Sequence, residues 1–312
     1  MARVHAFGDD PLQDLDAVGL VEAYRDGLSV SDVVEAAIAR ADAVDDQLGA
    51  LAHEAFEQAR AEGRSPRPGY FSGVPTFLKD NVDVAGMPTQ NGTDAYVARP
   101  ADADGDFARM YRSVGLLPLG KTRLSEFGFS GAVDHPRLGP VRTPWNPEHY
   151  AGASSAGAAA FVATGVVPIA HANDGGGSIR IPASVNGLVG LKPTRGRLAQ
   201  DATMRQMPVK IVSDGVLTRS VRDTAAFYRE AEKVYRDPGS HRSATSPVPG
   251  GPGSGSRSSP AAWAATPARR SPSSPSRRPR CSSPSATRSR RSTPRCRPSS
   301  PTTSSSTGRC SR

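Results

Sequence analysis

A break in composition near residue 238 limits what this chain can fold into. Residues 239–312 contain no Leu, Ile, Phe, Tyr or Met and consist mainly of Ser, Pro, Arg, Ala, Thr and Gly. Such a segment has almost no apolar surface to bury against the entropy lost on ordering, so it is expected to be disordered. Any hydrophobic core must come from residues 1–238. Charge divides at the same place. Of the 39 Lys and Arg, 14 lie in 239–312, whereas none of the 30 Asp and Glu does, leaving 25 basic against 30 acidic residues in 1–238. The formal charge of +9 therefore misdescribes the folding part, whose charge is ordinary for a soluble domain.

The chain thus reads as two segments, 1–238 and a low-complexity tail, 239–312. The tail is either an Arg/Ser-rich arm making nonspecific phosphate contacts with nucleic acid or the product of a shifted reading frame in a GC-rich gene. The change is abrupt around Asp237–Arg242, just after a well-patterned helix at Val221–Val234. Cys281, Cys296 and Cys310 all fall in the tail, and their spacing matches neither a metal site nor a disulfide framework. There is no signal-like apolar segment and no run of 18 apolar residues, so a cytoplasmic protein with no membrane partner is expected.

Within 1–238, strand and helix patterns alternate, which gives an α/β class. Asp16–Arg25 reads as a helix closed by Gly27. Ser31 is placed to cap a second helix, with Val33, Val34, Ala37, Ile38, Ala41 and Val44 on one stripe. Gly73–Lys79 reads as a strand, Asp104–Val114 as a helix and Gly115–Gly120 as a buried strand. An Ala-rich helix runs from Ser154 to Thr164 and stops at Gly165. Val166–Ala172 is a strand leading into Asn173-Asp174-Gly175-Gly176-Gly177-Ser178, and a further helix starts near Ile181-Pro182.

Three features carry chemistry, and each also has an ordinary reading. Gly175, Gly176 and Gly177 can aim successive N–H groups at one point, an oxyanion site with Ser178 at its end; the same loop could hold phosphate or be a plain turn. Ser154 and Ser155 precede the Ala-rich helix, where serines serve as caps, or as catalytic hydroxyls. Lys79 ends an apolar strand, where it is either solvated or desolvated into a base. Gly115–Thr122 matches the GxxxxGK[ST] phosphate-loop pattern, but Leu116, Leu117, Pro118 and Leu119 suit a core strand better than a phosphate cradle.

Taken together, GVPTFLKDNVDV (73–84), GKTRLSEF (120–127), GPVRTPWNP (139–147), AGASSAGAAAFVATG (151–165), DGGGSIRIPASVNGLVGLKPTRGR (174–197) and TRSVRDT (218–224) closely resemble the amidase signature family. The resemblance spans about residues 12–235 and extends to bacterial general amidases and cyclic nylon-oligomer hydrolases. It implies an α/β/α sandwich around a mixed sheet, incomplete here at the C-terminus because members of the family continue well beyond this point. It implies a Ser–Ser–Lys triad of Lys79, a cis-configured Ser154 and the nucleophile Ser178, with an oxyanion hole from Gly175, Gly176 and Gly177. Ser155 is expected to support the loop by hydrogen bonding, and Arg180 to pack against or pair with Asp174 as a structural contact. His135, His149 and His171 need no catalytic role.

The implied activity is hydrolysis of a small carboxylic amide, with no cofactor or metal; a homodimer is compatible. The alternatives are the glutaminase subunit of a tRNA-dependent amidotransferase and a non-catalytic remnant. The chain departs from the family at Ala153, Ala156 and Ala158, and at Ala172-Asn173-Asp174, where Gly-Thr-Asp is common.

Overall fold

In the computed structural model, which describes residues 3–236, the first segment forms eight helices and eight strands. The expectations for residues 239–312 lie outside the described residues. In chain order the elements are α1 (Ala17–Arg25), α2 (Val30–Leu48), β1 (Leu51–Glu54), α3 (Phe56–Gly63), β2 (Pro75–Lys79), α4 (Asp106–Ser113) and β3 (Leu117–Thr122). There follow β4 (Asp134–His135), β5 (Gly139–Pro140), α5 (Ala156–Thr164), β6 (Ile169–Asp174), α6 (Arg180–Asn186), β7 (Val189–Gly190), α7 (Ala202–Gln206), β8 (Ser213–Thr218) and α8 (Val221–Val234).

The expected mixed sheet is present as two three-stranded sheets. One runs β1-β3-β2, with β1 antiparallel and β2 parallel to β3; the other runs β6-β8-β7 and is antiparallel. β2 and β6 lie beside each other, but side chains bridge them. Thr76 Oγ1 donates to the carbonyl of Ile169 at 2.9 Å, and the N–H of Lys79 donates to Nδ1 of His171 at 3.2 Å. Polar side chains thus satisfy backbone groups that a continuous ladder would have paired.

Helix α5 passes against β2, β3, β6 and β8. All nine of its residues are buried, as its uniformly small and apolar sequence requires. Its closest approach is at Gly157, where a Cβ would run into the carbonyl of Ala50 and the backbone of Arg123. Gly165 ends it in a left-handed conformation, φ 86°.

At the other end of the segment, α8 is tied to the first helix. Both carboxylate oxygens of Asp223 accept N–H groups at the start of α1, from Ala17 and Val18, at 2.9 Å each. This satisfies donors that have no partner within their own helix.

Two boundaries differ from expectation. The cap of α2 is Ser29, whose hydroxyl accepts the N–H of Asp32, whereas Ser31 lies inside the first turn and donates to the carbonyl of Gly63. The core strand starts at Leu117 because Gly115, φ 99°, closes α4 through a bond to the carbonyl of Arg112. The phosphate-loop match at 115–122 is that strand. Lys121 is fully buried, donates to the carbonyl of Pro88 and to Thr89 Oγ1, and lies 3.6 Å from Asp80. The 115–122 segment therefore offers neither a free loop nor a free lysine to hold phosphate. Among the described residues, no helix is long and apolar enough to cross a membrane.

Candidate active site

β2, the N-terminal approach to α5, and the turn from β6 to α6 converge, and the sequence-identified residues lie on these three pieces. Lys79 is the last residue of β2 and is fully buried. Its Nζ lies 2.6 Å from Ser154 Oγ and 2.6 Å from Asn173 Oδ1. Burial drives the Lys79 ammonium down to about 7, against the opposing pull of Asp214 and Asp174. Near neutrality such an amine is divided between its charged and neutral forms, as a general base requires.

Ser154 is buried, and the peptide bond joining it to Ala153 is cis. The Ser154 hydroxyl faces Lys79, while Ser155 turns inward and donates to the backbone carbonyl of Asn173 at 3.4 Å. That bond ties the turn before α5 to the end of β6. Gly128, in the turn at 126–129, runs past Ser154; a Cβ there would come within 3.4 Å of the Ser154 hydroxyl.

Asp174 anchors the loop that carries Ser178. Its buried carboxylate accepts N–H groups from Gly177 at 2.7 Å, Ile179 at 3.2 Å and Arg180 at 3.3 Å. The Arg180 guanidinium grips the same carboxylate through Nε at 2.8 Å and Nη2 at 2.9 Å, a bidentate, charge-assisted pair. Burial alone would push the Asp174 carboxyl up, but Arg180 and the three N–H groups together hold it below its usual range. The expected pairing of Asp174 with Arg180 is present. The expectation of three open N–H donors needs correction at Gly177, whose N–H is taken by Asp174. Gly175 is half-buried and Gly176 exposed. Gly177 has a φ of 128° and Ile181 against its α-carbon, so a side chain there would be both strained and crowded.

Ser178 follows this loop, half-buried at its end. Its hydroxyl makes no hydrogen bond among the described residues, so the structure joins Lys79 to Ser154 but not Ser154 to Ser178. Beside Gly175 opens a cleft of about 650 Å³, also lined by Lys192, Pro193, Thr194, Arg195 and Ile211.

Three residues near Lys79 were given no role in the sequence reading. Asn173 supplies the second Nζ contact; the sequence signal was its place in Ala-Asn-Asp, where Gly-Thr-Asp is common. His171 is fully buried, and its Nε2 lies 3.1 Å from Asp214 Oδ1. Because Nδ1 accepts the Lys79 N–H, the proton of a neutral ring belongs on Nε2, facing Asp214. Burial pushes His171 down, partly offset by Asp214, and Phe107 stacks on the ring at 4.3 Å. Strand alternation alone did not reveal that His171 and Asp214 support β2 from the neighbouring sheet.

The amidase family model matches residues 32–256. The chain is 64% identical over 239 residues to the protein named "Putative amidase AmiC" of Mycobacterium leprae, covering 76% of this chain and 51% of that protein. It is 38% identical over 218 residues to the 6-aminohexanoate-cyclic-dimer hydrolase of Paenarthrobacter ureafaciens, covering 68% of this chain and 44% of that one. Among solved structures, a bacterial aryl acylamidase of the amidase signature family superposes with a TM-score of 0.65 at 33% identity, over 70% of this chain and 48% of that one. The chain spans about half the length of the curated relatives it matches. With these likenesses and the arrangement of Lys79, Ser154 and the glycine loop, the chain belongs to the amidase family.

Proposed function

We propose that this chain carries the catalytic half of an amide hydrolase, which converts a small carboxylic amide to a carboxylate and ammonia or an amine. The observation that carries the reading is the buried 2.6 Å contact between Lys79 Nζ and Ser154 Oγ, next to a glycine loop that bears a serine. Neutral Lys79 accepts the Ser154 proton as Ser154 takes one from Ser178, and Ser178 Oγ attacks the amide carbon. The N–H groups of Gly175 and Gly176 stabilise the oxyanion, Gly177 being held by Asp174. Return of the proton to the leaving nitrogen breaks the C–N bond and leaves an acyl-enzyme on Ser178. Water, deprotonated along the same route, then hydrolyses the ester.

The relatives described above are named as amidases and a cyclic-dimer hydrolase and do not favour the glutaminase reading. The test is a fluorophosphonate probe followed by peptide mapping, alongside release of ammonia or amine from a panel of linear and cyclic amides. Modification at Ser178 that blocks amide turnover supports the reading; modification elsewhere overturns it.

A further inference from the structure

The two partners of the Lys79 amine are not equivalent. The Ser154 hydroxyl can donate or accept, but the carboxamide oxygen of Asn173 can only accept. At 2.6 Å it holds an Nζ–H whether Lys79 is charged or neutral. A neutral amine has two N–H bonds and one lone pair in a tetrahedral arrangement. Once one N–H is held, rotation about Cε–Nζ is stopped, and the lone pair can remain directed at the Ser154 hydroxyl, also 2.6 Å away.

The other end of the amide makes a second point. Asn173 Nδ2 is buried with no hydrogen-bond partner among the described residues, a state that folded proteins rarely tolerate. An apolar side chain would remove that orphan donor but lose the acceptor, and a hydroxyl could accept but could equally turn to donate and reaches less far. A carboxylate would keep an acceptor but set a negative charge against Nζ. A carboxamide is the neutral acceptor of the right reach. We propose that Asn173 is a positioning residue for the base: its oxygen fixes one Nζ–H of Lys79 and so aims the amine lone pair at Ser154. The inference rests on Lys79 being the base, and the experiment separates the two.

The charged and titratable groups around Lys79 are Asp174 and His171 on β6 and Asp214 on β8. Asp201, ahead of α7, acts on His171, and Lys121 and Asp80 pair with each other beside β2 and β3. All are kept unchanged in the test. The full chain has five lysines, at 79, 121, 192, 210 and 233, so ¹³Cε labelling of lysine gives a short spectrum in which Lys79→Met assigns the resonance of interest. Lys79 is titrated by NMR in the wild-type chain, in Asn173→Leu and in Asn173→Asp. The rate of fluorophosphonate labelling at Ser178 is followed against pH in the same proteins.

Asn173→Leu is expected to slow labelling roughly 10- to 100-fold at its high-pH plateau, part of what a well-placed base supplies, while the other four lysine signals stay in place. Asn173→Asp is expected to raise both the Lys79 midpoint and the acid limb of labelling by about one unit or more. A merely structural Asn173 would lower the melting temperature in both variants and move neither the Lys79 midpoint nor the plateau, which would overturn the proposal. The NMR arm needs no turnover. If Lys79→Met labels like wild type, the base reading itself has failed. If Lys79→Met is inert but Asn173→Leu is normal, only the role of Asn173 has failed.

Discussion

The carboxylate of Asp174 accepts the N–H of Gly177 at 2.7 Å, and this bond occupies one of the three glycine N–H groups of the loop. The same carboxylate ties together Ile179, the Arg180 backbone and the Arg180 guanidinium. One buried acid thus holds both the glycine loop and the start of α6, with Ser178 between them. Preorganised donors stabilise charge only when their backbone is held in place. Gly176 itself is exposed, and the Asp174 carboxylate holds the loop on its far side through Gly177.

Asp174→Asn tests the anchor. Folding holds the Asp174 carboxyl below its ordinary value of 3.8. The unfolded chain therefore binds more protons between the two values, and stability rises with pH there. The stabilisation is fully present above 3.8 and is lost as pH falls through the folded value. The variant should melt below wild type at pH 7, with the gap narrowing below pH 3.8. Melts at pH 7 and pH 3 read this directly; a gap constant across that range would mean that the ionised pair with Arg180 is not the anchor.

Ser178→Ala should abolish fluorophosphonate labelling and amide turnover while leaving the melting temperature within about 0.5 kcal/mol of wild type in stability terms, since its hydroxyl makes no hydrogen bond to lose. Ser154→Ala should also stop turnover but should change stability, because Ser154 Oγ is buried against Lys79. Labelling that persists in Ser178→Ala would remove Ser178 from the role of nucleophile.

Much of this was legible in the sequence where local chemistry decides. Val221–Val234 has its cap at Ser220 and a clear amphipathic face, and α5 ends at Gly165 as its sequence requires. Lys79 could be placed at the end of a strand because the largely apolar run Val74-Pro-Thr-Phe-Leu leads into it. What could not be read depends on contacts far apart in the chain. The split into two sheets comes from His171 and Thr76 bridging β2 and β6. The grip of Asn173 on Lys79 spans 94 positions. The cap of α2 moved from Ser31 to Ser29 because two serines stood within one turn and only backbone geometry distinguishes them. The diversion of the Gly177 N–H to Asp174 was likewise invisible, since a run of glycines says where N–H groups can point, not which are already taken.

Gly157→Ala probes the approach of α5 to the first sheet. The added methyl would meet the carbonyl of Ala50 and the backbone of Arg123, neither of which is the free end of a side chain. Overpacking of this kind costs about 1–3 kcal/mol, outweighing the gain of about 0.5–1 kcal/mol from replacing glycine within a helix. Gly131→Ala is the control, because a Cβ there has nothing within 4 Å and the backbone is unstrained. Chemical denaturation should show a clear loss for the first and almost none for the second; equal effects would mean that α5 does not pack as closely as described.

Lys79→Met should separate stability from activity. Folding lowers the Lys79 ammonium from 10.5 to about 7, so between those values the unfolded chain binds more protons and stability rises with pH. The cost of burying the charged lysine is therefore fullest below pH 7 and fades as pH approaches 10.5. Methionine fills similar space without a charge to bury. The variant should be inert towards amides and fluorophosphonate, yet more stable than wild type at pH 6, with the advantage shrinking steadily by pH 9. In the wild type, labelling of Ser178 should rise through a midpoint near 7 as the amine loses its proton. Denaturant titrations at pH 6 and 9, beside the labelling profile, check both halves together. A variant less stable than wild type at pH 6 would show that the Lys79 contacts with Ser154 and Asn173 outweigh the burial of its charge. A stability gap that does not change between pH 6 and pH 9 would instead remove the low titration point, and with it the role of Lys79 as a base at neutral pH.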